Sequence, residues 1–141
     1  MSAFELDQDL VSGFVDETNE ILAQTDQHLS DFLAHQNPNQ FEAYGQGIDR
    51  VMGAALTLGF TDLGDLARLG KEVGYKASQV TDINQLLVIH SLLSQLNKEL
   101  NRVVKSLNSH QQYEQEDLHF LIQKLKKASS NLGDLRISVK L

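Results

Sequence analysis

Residues 47–60 read GIDRVMGAALTLGF, and this stretch decides how the chain folds. Its apolar residues recur three and four positions apart, which is the spacing of one face of an α-helix. The Gly-Phe pair at its end predicts a break, and Thr61 or Asp62 is suited to be the N-cap of a following helix. The pattern therefore predicts one helix at about residues 40–58 and another at about 63–78.

The same helical spacing extends over most of the chain. A first helix is predicted at about residues 6–34, because Pro38 cannot lie in a helix interior. The Thr-Asp pair at 81–82 caps a fourth helix that runs from residue 83 to about 107, and a polar linker leads to a fifth at about 115–130. Short turns between long helices favour antiparallel neighbours. The sequence thus predicts an all-α fold, an antiparallel up-down four-helix bundle with an additional C-terminal fifth helix.

The apolar stripes of these helices are assigned to the bundle core. For the first helix the assigned residues are Leu10, Phe14, Ile21, Thr25, Leu29 and Phe32, flanked by Val11, Leu22 and Leu33. For the fourth helix they are Ile83, Leu86, Leu87, His90, Leu93, Leu96, Leu100, Val103, Val104 and Leu107.

The composition of the chain bounds its class. At 141 residues it is long enough for one domain, which we place at 1–131, followed by a C-terminal tail at 132–141 that forms a strand or packs on the bundle. There are no cysteines, which excludes disulfides, thiol catalysis and sulfur-ligated metal sites. No apolar run is long enough for a membrane span, and the N-terminus lacks the layout of a signal peptide. These features predict a cytoplasmic protein.

Charge is distributed unevenly along the chain, whose net charge is −7. The ten acidic residues from Glu5 to Asp49 all precede Arg50, the first basic residue, and the remainder carries a net charge of +3. Such an acidic region repels nucleic acid and anionic membranes, so we expect neither as a partner. The alternative to a functional role is that these residues form a solvated helix face.

Two stretches together resemble the histidine phosphotransfer (Hpt) domain of chemotaxis histidine kinases of the CheA type. FVDETNEILAQTDQHL, residues 14–29, is similar to the first helix of that family, with its F-x-x-E-x-x-E-x-L pattern. DRVMGAALTLGF, residues 49–60, is similar to the family's H-S-I-K-G-x-A-x-x-x-G-F box, and the segment 61–77 stands where the family has its third helix. The resemblance covers residues 5–131 and implies the bundle fold with its fifth helix.

The departures from the family fall on its chemistry. Asp49 replaces the histidine that accepts phosphate, Met52 replaces a lysine, and Lys71 replaces the glutamate that orients the histidine. A carboxylate is a poor acceptor for phosphate unless a metal and a lysine neutralise the site. The resemblance therefore implies a pseudo-Hpt module with no catalytic residue, metal or cofactor.

Docking without phosphate exchange is the function that this resemblance implies. The module would bind a response-regulator receiver domain or a histidine kinase in chemotaxis or two-component signalling. The residues expected to form the docking surface are Asp49, Arg50, Met52, Gly53 and Lys71. Asp49 and Lys71 either form a pair that replaces the histidine–glutamate contact of the family, or both face water.

Other interpretations stay open at this stage. One is an active phosphotransfer protein that uses a different histidine among His28, His35, His90, His110 and His119, of which His90 is expected to be half-buried. Another is a structural bundle that self-associates. Gly70 and Gly74 lie one helical turn apart and either permit a tight helix contact or merely weaken the third helix.

Overall fold

The computed structural model describes residues 8–108 and 122–130, and nearly all of these residues are helical. The helices are α1 (Gln8–His35), α2 (Asn39–Thr57), α3 (Thr61–Ala77) and α4 (Ile83–Asn108). A further helical segment covers residues 122–130, within the predicted fifth helix. The all-α prediction is confirmed. The predicted tail at 132–141 lies outside the described residues.

The four helices form a closed ring. Each helix contacts the next along the chain, and α4 returns to contact α1, whereas the diagonal pairs α1–α3 and α2–α4 have no close backbone approach. The turns between consecutive helices contain only residues 36–38, 58–60 and 78–82, so neighbouring helices run antiparallel. This arrangement is the predicted up-down bundle. Within the described ranges, no helix combines the length and apolar character needed to cross a membrane.

The Leu-Gly-Phe turn that ends α2 is a Schellman motif. Gly59 has a φ of 84°, a left-handed conformation that glycine adopts without steric cost. Its N–H donates to the Leu56 carbonyl at 3.1 Å, and the Phe60 N–H donates to the Ala55 carbonyl at 2.9 Å. The Phe60 ring then packs 5.5 Å from the Phe14 ring of α1. The predicted break is confirmed and has a defined geometry.

The predicted N-caps have different outcomes. Thr61 is already the first residue of α3, and the N-cap position is Phe60, which makes no side-chain cap, so the prediction of Thr61 or Asp62 is wrong. The Schellman turn places Phe60 against the core, and the helix begins at Thr61, two residues before the predicted start. Asp82 does cap α4, because its Oδ1 accepts a hydrogen bond from the Asn84 N–H at 2.9 Å.

The core contains most of the residues assigned to it. The exceptions are Leu10, Leu33 and Leu87, which are exposed. Each directly follows or precedes a buried residue, Val11, Phe32 or Leu86 respectively, and a step of one residue rotates a side chain by about 100° around the helix. The buried stripes are therefore narrower than the apolar stripes in the sequence.

Helices α2 and α3 are in direct backbone contact. A Cβ atom built on Gly74 would lie 2.9 Å from the Phe41 carbonyl oxygen and 3.4 Å from the Gly45 nitrogen. A Cβ atom on Gly45 would lie 2.7 Å from the Tyr75 ring. A side chain at Gly74 would therefore displace the backbone of α2, whereas one at Gly45 would first displace the Tyr75 ring. Of the two alternatives for Gly74, the structure therefore supports a tight helix contact, which it makes with α2. Gly70 makes a similar contact with α4, where a Cβ atom would collide with Leu96.

A polar network crosses the centre of the bundle. The Tyr44 hydroxyl donates to Asn97 Oδ1 at 3.1 Å. The Asn97 amide donates to Thr25 Oγ1 at 2.9 Å and to Asp26 Oδ1 at 2.7 Å. Burial, followed by the nearby Asp26 carboxylate, raises the pKa of Tyr44 well above its ordinary value, so the hydroxyl stays protonated and donates. The network joins α1, α2 and α4.

The close contact at Gly74 leads to a prediction about the stability of the bundle. We expect Gly74→Ala to lower the free energy of unfolding by roughly 1–3 kcal/mol, because overpacking against a backbone carbonyl outweighs the better helix propensity of alanine. Urea denaturation monitored by circular dichroism measures the change.

Gly13→Ala is the matched control. Gly13 is exposed in α1, and a Cβ there would meet nothing within 4 Å. That variant should gain roughly 0.5–1 kcal/mol from helix propensity alone. If Gly74→Ala gains stability as Gly13→Ala does, the helices have room to separate and the close contact is not a constraint.

Candidate functional site

Asp49 of α2 and Lys71 of α3 form an ion pair at the surface. The Lys71 Nζ donates to Asp49 Oδ1 at 2.9 Å, and the two side chains remain 29% and 44% exposed, respectively. The prediction that these residues meet is confirmed, and the alternative that both simply face water is wrong.

The glycine contact explains why the pair forms. Asp49 lies one turn after Gly45, and Lys71 lies one turn before Gly74. A Cβ atom on Gly45 would lie 3.4 Å from the Lys71 carbonyl oxygen, which shows how near the two backbones are at this level. The Asp49 and Lys71 side chains, on the outer side of the α2–α3 contact, are therefore close enough to form a hydrogen bond.

The surroundings of Lys71 favour its charged form. The hydrogen bond to Asp49 is the main cause that raises the pKa of Lys71, and the negative charges of Asp49 and Glu72 act in the same direction, while partial desolvation opposes them. Its ammonium also lies 5.9 Å from the centroid of the Tyr75 ring, within cation–π range. The Asp49 charge is thus balanced locally.

The Arg50 side chain points away from α3 and toward α1. Its side chain is exposed, and its Nη2 lies 3.7 Å from Glu17 Oε1 of α1. Arg50 therefore bridges toward α1, whereas Asp49 bridges toward α3.

Met52 and Gly53 complete the outer surface of α2. Met52 is half-buried and packs against the core, and Gly53 is exposed, with nothing within 4 Å of the position of a Cβ atom. The sequence offset of three and four residues places both beside Asp49 on the helix. We call the surface formed by Asp49, Arg50, Met52 and Gly53 the α2 strip, which Lys71 extends onto α3.

A shallow groove borders the α2 strip on its α1 side. It has a volume of about 250 Å³, and Gly53 and Thr57 of α2 face Leu10 and Phe14 of α1 across it. The sequence assigned Leu10 to the core, and the structure places it at the edge of this groove instead. Leu10 and Glu17 of α1 and Thr57 of α2 are thus neighbours of the α2 strip that the sequence did not predict. For Leu10 and Glu17, the available signal was their position on the outer side of the α1 helical pattern.

The three described histidines lie in different environments. His28 Nδ1 lies 3.2 Å from Gln40 Oε1, between α1 and α2. His90 is half-buried as expected, and its ring stacks on Phe32 with the centroids 6.0 Å apart. His35 is exposed in the last turn of α1. His110 and His119 lie outside the described residues.

The side chains around the Asp49–Lys71 pair offer contact groups of several kinds. Across residues 8–108 and 122–130, no three histidine, aspartate or glutamate side chains are grouped so that they hold a metal ion. The groups at hand are an ion pair, a flexible thioether and an open glycine, which suit contact with another protein.

No protein-family model matches the chain, and a search of curated proteins finds no match.

His90 makes a pH prediction. Burial lowers the pKa of His90, and a hydrogen bond to the Leu29 backbone opposes this shift. His90 therefore binds a proton more readily in the unfolded chain than in the folded protein. The stability that neutral His90 provides is fully present above about pH 6.5 and is lost as the pH falls through the lowered pKa of the folded state. We expect His90→Phe, which keeps the ring contact with Phe32, to lose less stability than the wild type between pH 7.5 and pH 5.5.

Urea midpoints at the two pH values measure this difference. The other titrating groups are common to both proteins, so their contributions cancel in the comparison. An equal loss in both proteins would show that His90 accepts its proton without cost in the folded state.

Proposed function

We propose that this chain is a non-catalytic module of bacterial chemotaxis or two-component signalling, related to histidine phosphotransfer domains. It docks a receiver domain or a histidine kinase through the α2 strip and exchanges no phosphate. In this proposal it is a cytoplasmic protein, it binds neither nucleic acid nor membrane, and it is not an enzyme.

The observation that carries the proposal is the 2.9 Å contact between Lys71 Nζ and Asp49 Oδ1. The gapless comparison with the family assigns these residues to the positions of the phosphoacceptor histidine and its orienting glutamate. Two residues that are 22 positions apart in the sequence are brought into contact, as that assignment requires. The antiparallel four-helix ring and the glycine-containing turn after α2 also fit it.

The chemistry of the pair argues against phosphate transfer. Lys71 supplies one of the two cations that an aspartate acceptor needs, but no carboxylate cluster to hold the metal ion is found beside Asp49 in the described residues. Phosphorylation of an aspartate depends on such neutralisation of charge, because both the acceptor and the incoming phosphate are anionic. The surface keeps a polar contact between α2 and α3 and lacks the imidazole.

Restoring the family's residues tests the assignment directly. We expect the triple variant Asp49→His, Met52→Lys, Lys71→Glu to take up acid-labile, base-stable phosphate from receiver domains charged with acetyl phosphate, whereas the wild type takes up none. The physical reason is that the variant regains a nucleophilic imidazole, a cation for the phosphoryl group and a carboxylate that orients the ring.

Gln46→His is the matched control, since Gln46 is exposed on α2 one turn before Arg50. A histidine there lacks the partners and should stay unlabelled. Label on the wild type that maps to His28, His35 or His90 would instead establish the alternative of a relocated phosphohistidine. A folded triple variant that takes up no label from any receiver would contradict the assignment.

Docking through the α2 strip is tested by closing the space at Gly53. A Cβ atom there meets nothing within 4 Å, so Gly53→Leu should preserve stability while its side chain blocks a partner's approach. We expect the Kd for a receiver or kinase that binds the wild type to rise by about tenfold or more, as calorimetry measures, because each 1.4 kcal/mol of lost contact is a factor of ten.

Ser30→Leu is the control, because Ser30 is exposed and lies twenty residues from Leu10 along α1, about 30 Å at the rise of a helix. Its affinity should stay within about twofold of the wild type. Equal affinity of Gly53→Leu and the wild type would place the docking surface elsewhere.

A further inference from the structure

A second groove lies between α4 and the helical segment 122–130. Its volume is about 410 Å³. The apolar part of its lining comes from Val88, Leu92 and Ala128, and the polar part from Ser91, Gln95, Lys124 and Lys127. None of these residues belongs to the α2 strip, so the groove is a separate surface.

The apolar part of this groove is unusually open. Val88 is 67% exposed, and its neighbour Leu87 is exposed as well. Leu92 follows Val88 by one helical turn and is half-buried. Val88 and Leu92 therefore give the groove a small apolar floor beside its polar and basic lining.

The charge of the groove is opposite to that of the chain. Two of its lining residues are lysines, and none is acidic, in a protein whose net charge is −7. Within the described residues, the Lys127 ammonium has no carboxylate in ion-pair contact. A positive, partly apolar groove on an acidic protein favours a partner that is locally acidic and apolar.

The shape of the groove indicates how such a partner would lie. Val88, Leu92 and Gln95 follow one another at intervals of four and three residues along α4, and on the segment 122–130 Lys127 and Ala128 lie three and four residues after Lys124. Two helix walls of this kind accept the apolar face of a third helix. An amphipathic helix places apolar residues at the same intervals, with acidic residues beside them.

We propose that this groove binds an acidic amphipathic helix of a partner protein. Apolar side chains of that helix pack on Val88 and Leu92, and carboxylates beside them pair with Lys127 and lie near Lys124. The proposal is independent of docking at the α2 strip.

The absence of cysteine allows a clean binding measurement. Gln95→Cys places a single thiol in the groove, and an environment-sensitive fluorophore on it reports occupancy. The probe is a synthetic helical peptide with leucines at intervals of three and four residues flanked by glutamates. We expect a saturable blue shift, and no shift with the same peptide when lysines replace the glutamates.

Variants of the groove separate specific from general attraction. We expect Lys127→Glu and Val88→Gln each to weaken binding of the glutamate peptide by about tenfold or more. Lys126→Glu makes the same charge change at an exposed position that does not line the groove, and should stay within about twofold. Both substituted lysines are exposed, so the two variants should fold alike.

Several results would overturn the proposal. One is the absence of a blue shift at peptide concentrations up to about 1 mM, since a dissociation constant above that value is too weak for specific binding. Another is that Lys126→Glu and Lys127→Glu weaken peptide binding equally. A shift caused by anionic phospholipid vesicles but not by the peptide would make the groove a membrane contact. A shift that appears on concentrating the labelled protein alone, with a matching rise in mass by light scattering, would make the occupant a second copy.

Discussion

The direct backbone contact between α2 and α3 at Gly45 and Gly74 is the constraint on which the rest of the bundle depends. It brings the outer faces of the two helices close enough for Asp49 and Lys71 to form a 2.9 Å hydrogen bond. It also seats the Tyr44 ring over Gly74, where a Cβ atom would lie 3.3 Å from Tyr44 Cδ1. A side chain at Gly74 would push against the Phe41 carbonyl and force the helices apart, and one at Gly45 would displace the Tyr75 ring beside Lys71.

From that position Tyr44 orients the interior. Its hydroxyl reaches diagonally across the bundle to Asn97, which in turn donates to Thr25. Apolar contacts have no direction and tolerate a shift of one helix along another, whereas these hydrogen bonds are made in one register only. A shift would leave buried polar groups unpaired, at a cost of roughly 1–3 kcal/mol each. The tight pair α2–α3 and the network therefore fix where α1 and α4 lie.

The sequence predicted the helices and their antiparallel up-down arrangement because periodicity and turn residues are local signals. It failed where a tertiary contact overrides a local signal. Thr61 has the right side chain for an N-cap, but the packing of Phe60 on Phe14 starts the helix earlier. Leu10 fits an apolar stripe, yet only contact with a neighbouring helix decides which edge of the stripe is buried. The contact of Asp49 with Lys71 was predictable only through the resemblance to the phosphotransfer family, since no periodicity relates two helices.

Compared with the phosphotransfer domains that the sequence resembles, this contact has a carboxylate in place of the imidazole and an ammonium in place of the carboxylate, which bears on the function proposed for the α2 strip. If aspartate alone replaced the histidine, it would face the family's glutamate, and two carboxylates at hydrogen-bond distance repel each other. With Lys71 opposite Asp49 the contact is attractive, and the charge exposed to a partner is close to neutral. A surface in this state offers neither the imidazole that accepts phosphate nor the net negative charge of a phosphoryl group. Recognition in the proposed function would then rest on shape, on the Met52 thioether and on the open space at Gly53.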